Sequence, residues 1–97
     1  MSRTLGQARD GGEDIDGLPG ICVEVKRHET LNVNSWWKQV CRAADAKGEL
    51  PILMYRRNRE AWTFCVPAYL LVVGAPGYLA MGSAPFAFWL RAWLSKR

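Results

Sequence analysis

The sequence predicts a mixed α/β layer fold, with helices packed against a small sheet. Three observations carry this. β-rich runs stand at 21–26, 50–55 and 62–66. An apolar stripe at helical spacing fills 35–47, and an aromatic one fills about 84–96. Glycine and proline punctuate the stretches between them. A chain of 97 residues has room for one domain, 1–97, with one modest core. Hydrophobic residues make up 49% and charged ones 23%, which excludes a disordered chain. Length excludes a multidomain enzyme, and no internal repeat is visible.

The elements follow in order. Asp14-Ile15-Asp16 leads into Gly17-Leu18-Pro19-Gly20 and then Ile21-Cys22-Val23-Glu24-Val25-Lys26, which reads as a two-stranded hairpin. In the second strand Ile21, Val23 and Val25 share one face, and Cys22, Glu24 and Lys26 share the other. The first face enters a core; the second presents a carboxylate and an amine. A helix follows over 35–47, capped by Asn34 or Ser35 and stopped by Gly48. Its apolar stripe is Trp36, Val40, Ala43 and Ala44, widened by Trp37 and Cys41. Gln39 lies at the boundary between the wet and dry sides.

Pro51 opens the next strand, and the charged connection Arg56-Arg57-Asn58-Arg59-Glu60 follows it. Trp62, Phe64 and Val66 then line one face of a further strand ended by Pro67. Residues 67–82 are apolar and irregular and receive no assignment. Ser83-Ala84-Pro85 starts the last helix, whose stripe is Phe86, Leu90, Trp93 and Leu94. That helix either covers a sheet face or makes a dimer contact.

Charge is unevenly placed. Residues 1–34 carry four basic and six acidic side chains, and residues 35–97 carry nine and three, giving +4 in total. The balance permits a polyanionic partner. Residues 61–90 contain no charge, but Pro67, Gly74, Pro76, Gly77, Gly82 and Pro85 interrupt them. A strand, loop and helix therefore fit better than a membrane span. Cys22, Cys41 and Cys65 show no metal-site spacing, and His28 is the one histidine. Three reduced thiols in a cytoplasmic protein are expected.

The set that carries chemistry is Asp14, Glu24 and Lys26. Two carboxylates on adjacent strands can share one hard cation, with water completing its shell. Such a cation polarises a phosphoryl oxygen. A lysine beside it orients the attacking water or offsets charge in the transition state. The same Glu-x-Lys also fits a cross-pleat ion pair on a solvated face.

The run Gly11-Gly12-Glu13-Asp14-Ile15, then Gly17 through Arg27, resembles the PD-(D/E)XK nuclease superfamily. It is most similar to small phage-type and Holliday-junction-resolvase-like endonucleases. Trp36-Trp37-Lys38-Gln39 and the strand 51–56 match that layout, and the resemblance spans about residues 9–73. It implies a restriction-endonuclease-like fold, a small mixed sheet with flanking helices. Asp14 matches the first metal-binding acid, Glu24 the second and Lys26 the catalytic lysine. The Val25 carbonyl would be a further ligand to Mg2+ or Mn2+, and Gln39 matches a glutamine placed near the active site. The implied reaction is metal-dependent, structure-selective DNA cleavage leaving a 5′-phosphate, by a homodimer acting on DNA, branched forms among the candidates, away from any membrane.

Two features depart from the pattern. Glu13 occupies the place of the usual proline, and either joins the metal site or faces water. About a dozen residues precede Asp14, so the chain looks shortened at its start. Asp16 is the alternate first acid. These departures motivate a second reading: a catalytically inactive nuclease-fold protein that binds nucleic acid or protein as an accessory or inhibitor.

Among other residues, Arg27, His28, Lys38, Arg42, Arg56, Arg57 and Arg59 are candidates for phosphate contact, which gives affinity without sequence choice. Trp36 is assigned to the core, and Trp37 either packs or stacks on bases.

Overall fold

The computed structural model describes the backbone of residues 12–15 and all of residues 20–96. Asp16 and the first eleven residues lie outside the described residues, as do the side chains of Glu13 and Asp14. Among the described residues, five strands and two helices follow one another: β1 (Gly12–Ile15), β2 (Ile21–Arg27), α1 (Val33–Lys47), β3 (Leu50–Arg56), β4 (Thr63–Pro67), β5 (Tyr78–Met81) and α2 (Ser83–Ser95). A 3₁₀ turn, Ala68–Leu70, follows β4. The strands form one sheet in the order β1-β2-β3-β4-β5. β2 and β3 are parallel, and the other neighbours are antiparallel. A parallel pair needs a crossover, and α1 supplies it.

Alternation along the strands separates two cores. Cys22, Leu53 and Cys65 point to one face and pack with Trp36, Trp37, Val40 and Ala44 of α1. Ile21, Val23, Ile52 and Val66 point to the other, beneath Phe86, Trp89, Leu90, Trp93 and Leu94 of α2. The sheet is thus a middle layer with a helix on each side, a small restriction-endonuclease-like fold. Of the two roles expected for the aromatic helix, covering the sheet is the one seen. Phe64 stacks on Phe86 with ring centroids 4.2 Å apart.

Three expectations need correction. Helix α1 starts at Val33, two residues earlier than the cap rule suggested, and no side chain caps it. Its end is as expected: Gly48 is left-handed at φ 66 and donates to the carbonyls of Ala44 and Asp45. Residues 67–82 are not wholly irregular, since β5 lies among them and pairs with β4. The second face of β2 is not a solvated one either. Cys22 is 3% exposed, and Glu24 and Lys26 are each 8% exposed. Trp37, left open by the sequence, is buried against Tyr78, with centroids 5.3 Å apart. No helix among the described residues is long and apolar enough to cross a membrane.

The chain path gives the sheet two unlike ends. β2, β3 and β5 finish at one end, where both helices begin. That end carries Lys26, Arg27, Arg56, Arg57 and Arg59, and neither helix has an acid in its first turn. The other end carries the exposed apolar residues Leu71, Val72 and Val73.

Candidate active site

The register of the first hairpin settles which acids share a row. Asp14 stands opposite Glu24, whereas Glu13 stands opposite Val25 and Gly12 opposite Lys26. Directly opposed residues in an antiparallel ladder have Cα atoms about 4.5–5.5 Å apart. The row continues through Leu53 of β3 and Cys65 of β4, which both face α1. Glu13 belongs to the alternate row, with Val25 and Met54. The hairpin therefore opposes Asp14, not Glu13, to the second acid.

Glu24 and Lys26 lie two residues apart on β2, and the Lys26 Nζ is 3.6 Å from a Glu24 carboxylate oxygen. Both side chains are about nine-tenths buried. A pair this dry is unlike a surface ion pair, which contributes little. Removing Glu24 leaves Lys26 as a buried charge without this carboxylate, at a cost of about 3–5 kcal/mol.

An aromatic wall stands beside Lys26. Tyr55 is its register partner on β3. Trp36 lies 6.0 Å from Tyr55 and 5.2 Å from His28, centroid to centroid. Burial raises the Tyr55 phenol above its ordinary pKa, and the Thr63 hydroxyl opposes this through a hydrogen bond. Spacing could not reveal Tyr55, because its place depends on the β2–β3 register.

Gln39 is exposed on α1. Trp37 meets Tyr78 of β5, so that flank of α1 faces β4 and β5. At about 100° per residue, Gln39 falls on the opposite flank, toward β2 and β1. Lys38 and Arg42 are exposed on the same helix. Arg27 and Arg56 are register partners in the row that faces α2, the far side of the sheet from Glu24. His28 lies on the α1 side against Trp36. Arg57 and Arg59 are exposed on the β3–β4 turn. The seven basic candidates thus divide between the two faces and one end of the sheet.

The donor set suits a hard divalent cation. Two carboxylates at opposed register positions, with the main-chain oxygen of Val25 in the same strand, are all oxygen ligands. Thiols are not part of it. Cys22 and Cys65 are buried in the α1 core and Cys41 is half-buried, and none of the three is in a disulfide. Among the described residues no group of three or more His, Cys, Asp and Glu gathers.

A family model described as "Phage putative PDDEXK endonuclease" matches residues 13–75. No curated protein and no solved structure matches the chain. The matched span runs from β1 past β4 and contains Asp14, Glu24, Lys26 and Gln39; α2 lies beyond it. With the opposed acids, the buried Glu-x-Lys and the α1 crossover in place, the chain belongs to this phage PD-(D/E)XK endonuclease family.

Proposed function

We propose that this chain is a metal-dependent DNA endonuclease, phage-derived, structure-selective and resolvase-like, that works as a homodimer in the cytoplasm of a bacterial host. The carrying observation is the nearly buried Glu24–Lys26 pair, set in a strand whose neighbour opposes Asp14 to Glu24. Asp14, Glu24 and the Val25 carbonyl would hold Mg2+ or Mn2+. When bound, that cation supplies Lewis-acid polarisation of a phosphoryl oxygen.

The chain's own residues do the rest. Glu24 fixes the Lys26 ammonium at 3.6 Å, so the cation has one preferred place. From there Lys26 orients the attacking water and offsets negative charge developing on the phosphorus oxygens. Oxygen of water bonds to phosphorus, the bond from phosphorus to the 3′ oxygen breaks, and that oxygen takes a proton. The products are a 5′-phosphate and a 3′-hydroxyl. Trp36 and Tyr55 limit bulk water on one side of the lysine. Gln39, on the flank of α1 toward β1, would meet the scissile strand.

The test is cleavage of labelled four-way junction, flap, duplex and single-stranded DNA with Mg2+ or Mn2+. Wild type is expected to cut at least one form. Glu24→Gln and Lys26→Met, which keep volume, are expected to lose about a thousandfold or more while circular dichroism is unchanged. A folded wild type that cuts none of these forms, yet binds one without metal, favours the inactive binding protein instead.

A further inference from the structure

We propose that the turn at residues 57–60 is a fixed bracket for the substrate's phosphate backbone, with Arg59 as its positioning residue; this rests on the nuclease reading and deepens it. Arg59 has φ 67, and among the described residues it is the one non-glycine with positive φ. The left-handed region is disfavoured for a side chain with a full Cβ, and Gly or Asn normally occupies it. An arginine there is held against its own backbone preference. Strain of this kind gathers where a side chain is used.

The turn is built to be rigid. Glu60 donates its N–H to the Arg57 carbonyl at 3.1 Å. The Arg56 guanidinium lies over the Trp62 ring, 5.0 Å from its centroid, and its Nη1 donates to the Glu60 carbonyl at 3.4 Å. Arg56 is therefore occupied inside the turn, and its Nε is buried without a hydrogen-bond partner. Arg57 and Arg59 are left exposed to solvent.

The bracket is also tied to the catalytic strand. The Asn58 side-chain amide donates to the Glu29 carboxylate, three residues beyond Lys26. The His28 N–H donates to the Arg56 carbonyl at 3.2 Å. These links fix the turn relative to the chain leaving β2. The Glu29 carboxylate meets Asn58 and Glu60 is exposed in the turn itself, so two acids stand at this end against Arg27, Arg56, Arg57 and Arg59. Both helix N-termini lie at this same end, with no acid in either first turn, so the field there favours a polyanion. The bracket grips the backbone beside the cut site rather than at it.

A structural role and a binding role for Arg59 move opposite observables. Binding of a labelled duplex of about 20 base pairs is measured in EDTA by fluorescence anisotropy across a salt series, together with thermal unfolding. The proteins are wild type, Arg59→Asn, Arg59→Lys and, as a charge-matched control, Arg91→Asn from α2. Arg59→Asn is expected to raise the unfolding midpoint by a few degrees, since Asn tolerates the left-handed region. It is also expected to weaken binding about tenfold and lower the salt slope by about 0.9, one phosphate contact. Arg59→Lys should restore most of the slope, and Arg91→Asn should leave both values near wild type. If wild type binds and cuts DNA but Arg59→Asn keeps the wild-type affinity and slope, the bracket is overturned and the nuclease reading stands. If wild type neither binds nor cuts any DNA form, both are overturned.

Discussion

The two faces of β2 are both covered, but with different materials. Toward α2, Ile21, Val23 and Val25 run unbroken into an aromatic and aliphatic layer. Toward α1, the buried Cys22 gives way to Glu24 and Lys26 within the same strand. An apolar face accepts any set of side chains that fills the volume. An ionic face has obligatory partners, because each buried charge needs the other. The first face therefore holds the fold, and the second is the one to which the proposed function assigns the chemistry. One strand of seven residues serves both, because neighbouring side chains point to opposite sides.

Truncation on each face gives the largest and sharpest contrast. Glu24→Ala leaves Lys26 as a nearly buried charge without its carboxylate and should cost about 3–5 kcal/mol, as well as cleavage. Ile52→Ala, on the other face of the adjoining strand, should cost a comparable 2–5 kcal/mol through the cavity it leaves. Its cleavage per folded molecule should remain near wild type. Urea unfolding and single-turnover cleavage on the same samples separate the two. Equal loss of specific activity in both variants would break the division between the faces.

A smaller effect sharpens the description of the α1 side. Burial pushes the Cys65 thiol from 9.0 up to about 12. The unfolded chain ionises first, so this contribution is whole below about pH 9. It is lost as pH rises toward 12, at about 1.4 kcal/mol per pH unit at most. Burial, and Asp45 next, push the Cys41 thiol in the same direction. Urea midpoints measured from about pH 7 to about pH 10 should fall at the alkaline end for wild type and fall less for Cys65→Ala. Identical alkaline slopes would mean that Cys65 is not held in a dry place.

How much of this could be read from the sequence varies with the physics of each part. β2, α1 and α2 declare themselves by period, and Gly48 marks a helix end as a local rule should. β5 does not, because Tyr78-Leu79-Ala80-Met81 sits in a charge-free run where alternation has no contrast. The start of α1 is not legible, because no side chain caps the turn at Asn32 and the capping rule has nothing to find. Glu-x-Lys was legible as spacing, but its burial was not, since α1 packs over that face from a later part of the chain. The choice among Glu13, Asp14 and Asp16 depends on hairpin register, where a slip of one residue exchanges the faces. Asp16 lies outside the described residues; of the other two, the ladder sets Asp14 and not Glu13 opposite Glu24.

That register is the most direct point of attack on the whole account, because the proposed metal-binding pair rests on it. Asp14→Asn and Glu13→Gln remove one charge each from adjacent positions of the same strand. Cleavage by the two variants, with magnesium titration calorimetry alongside wild type, compares them under one set of conditions. The account predicts that Asp14→Asn loses cleavage about as fully as Glu24→Gln, and that Glu13→Gln retains it. Loss in Glu13→Gln with retention in Asp14→Asn would contradict the register and the site built on it.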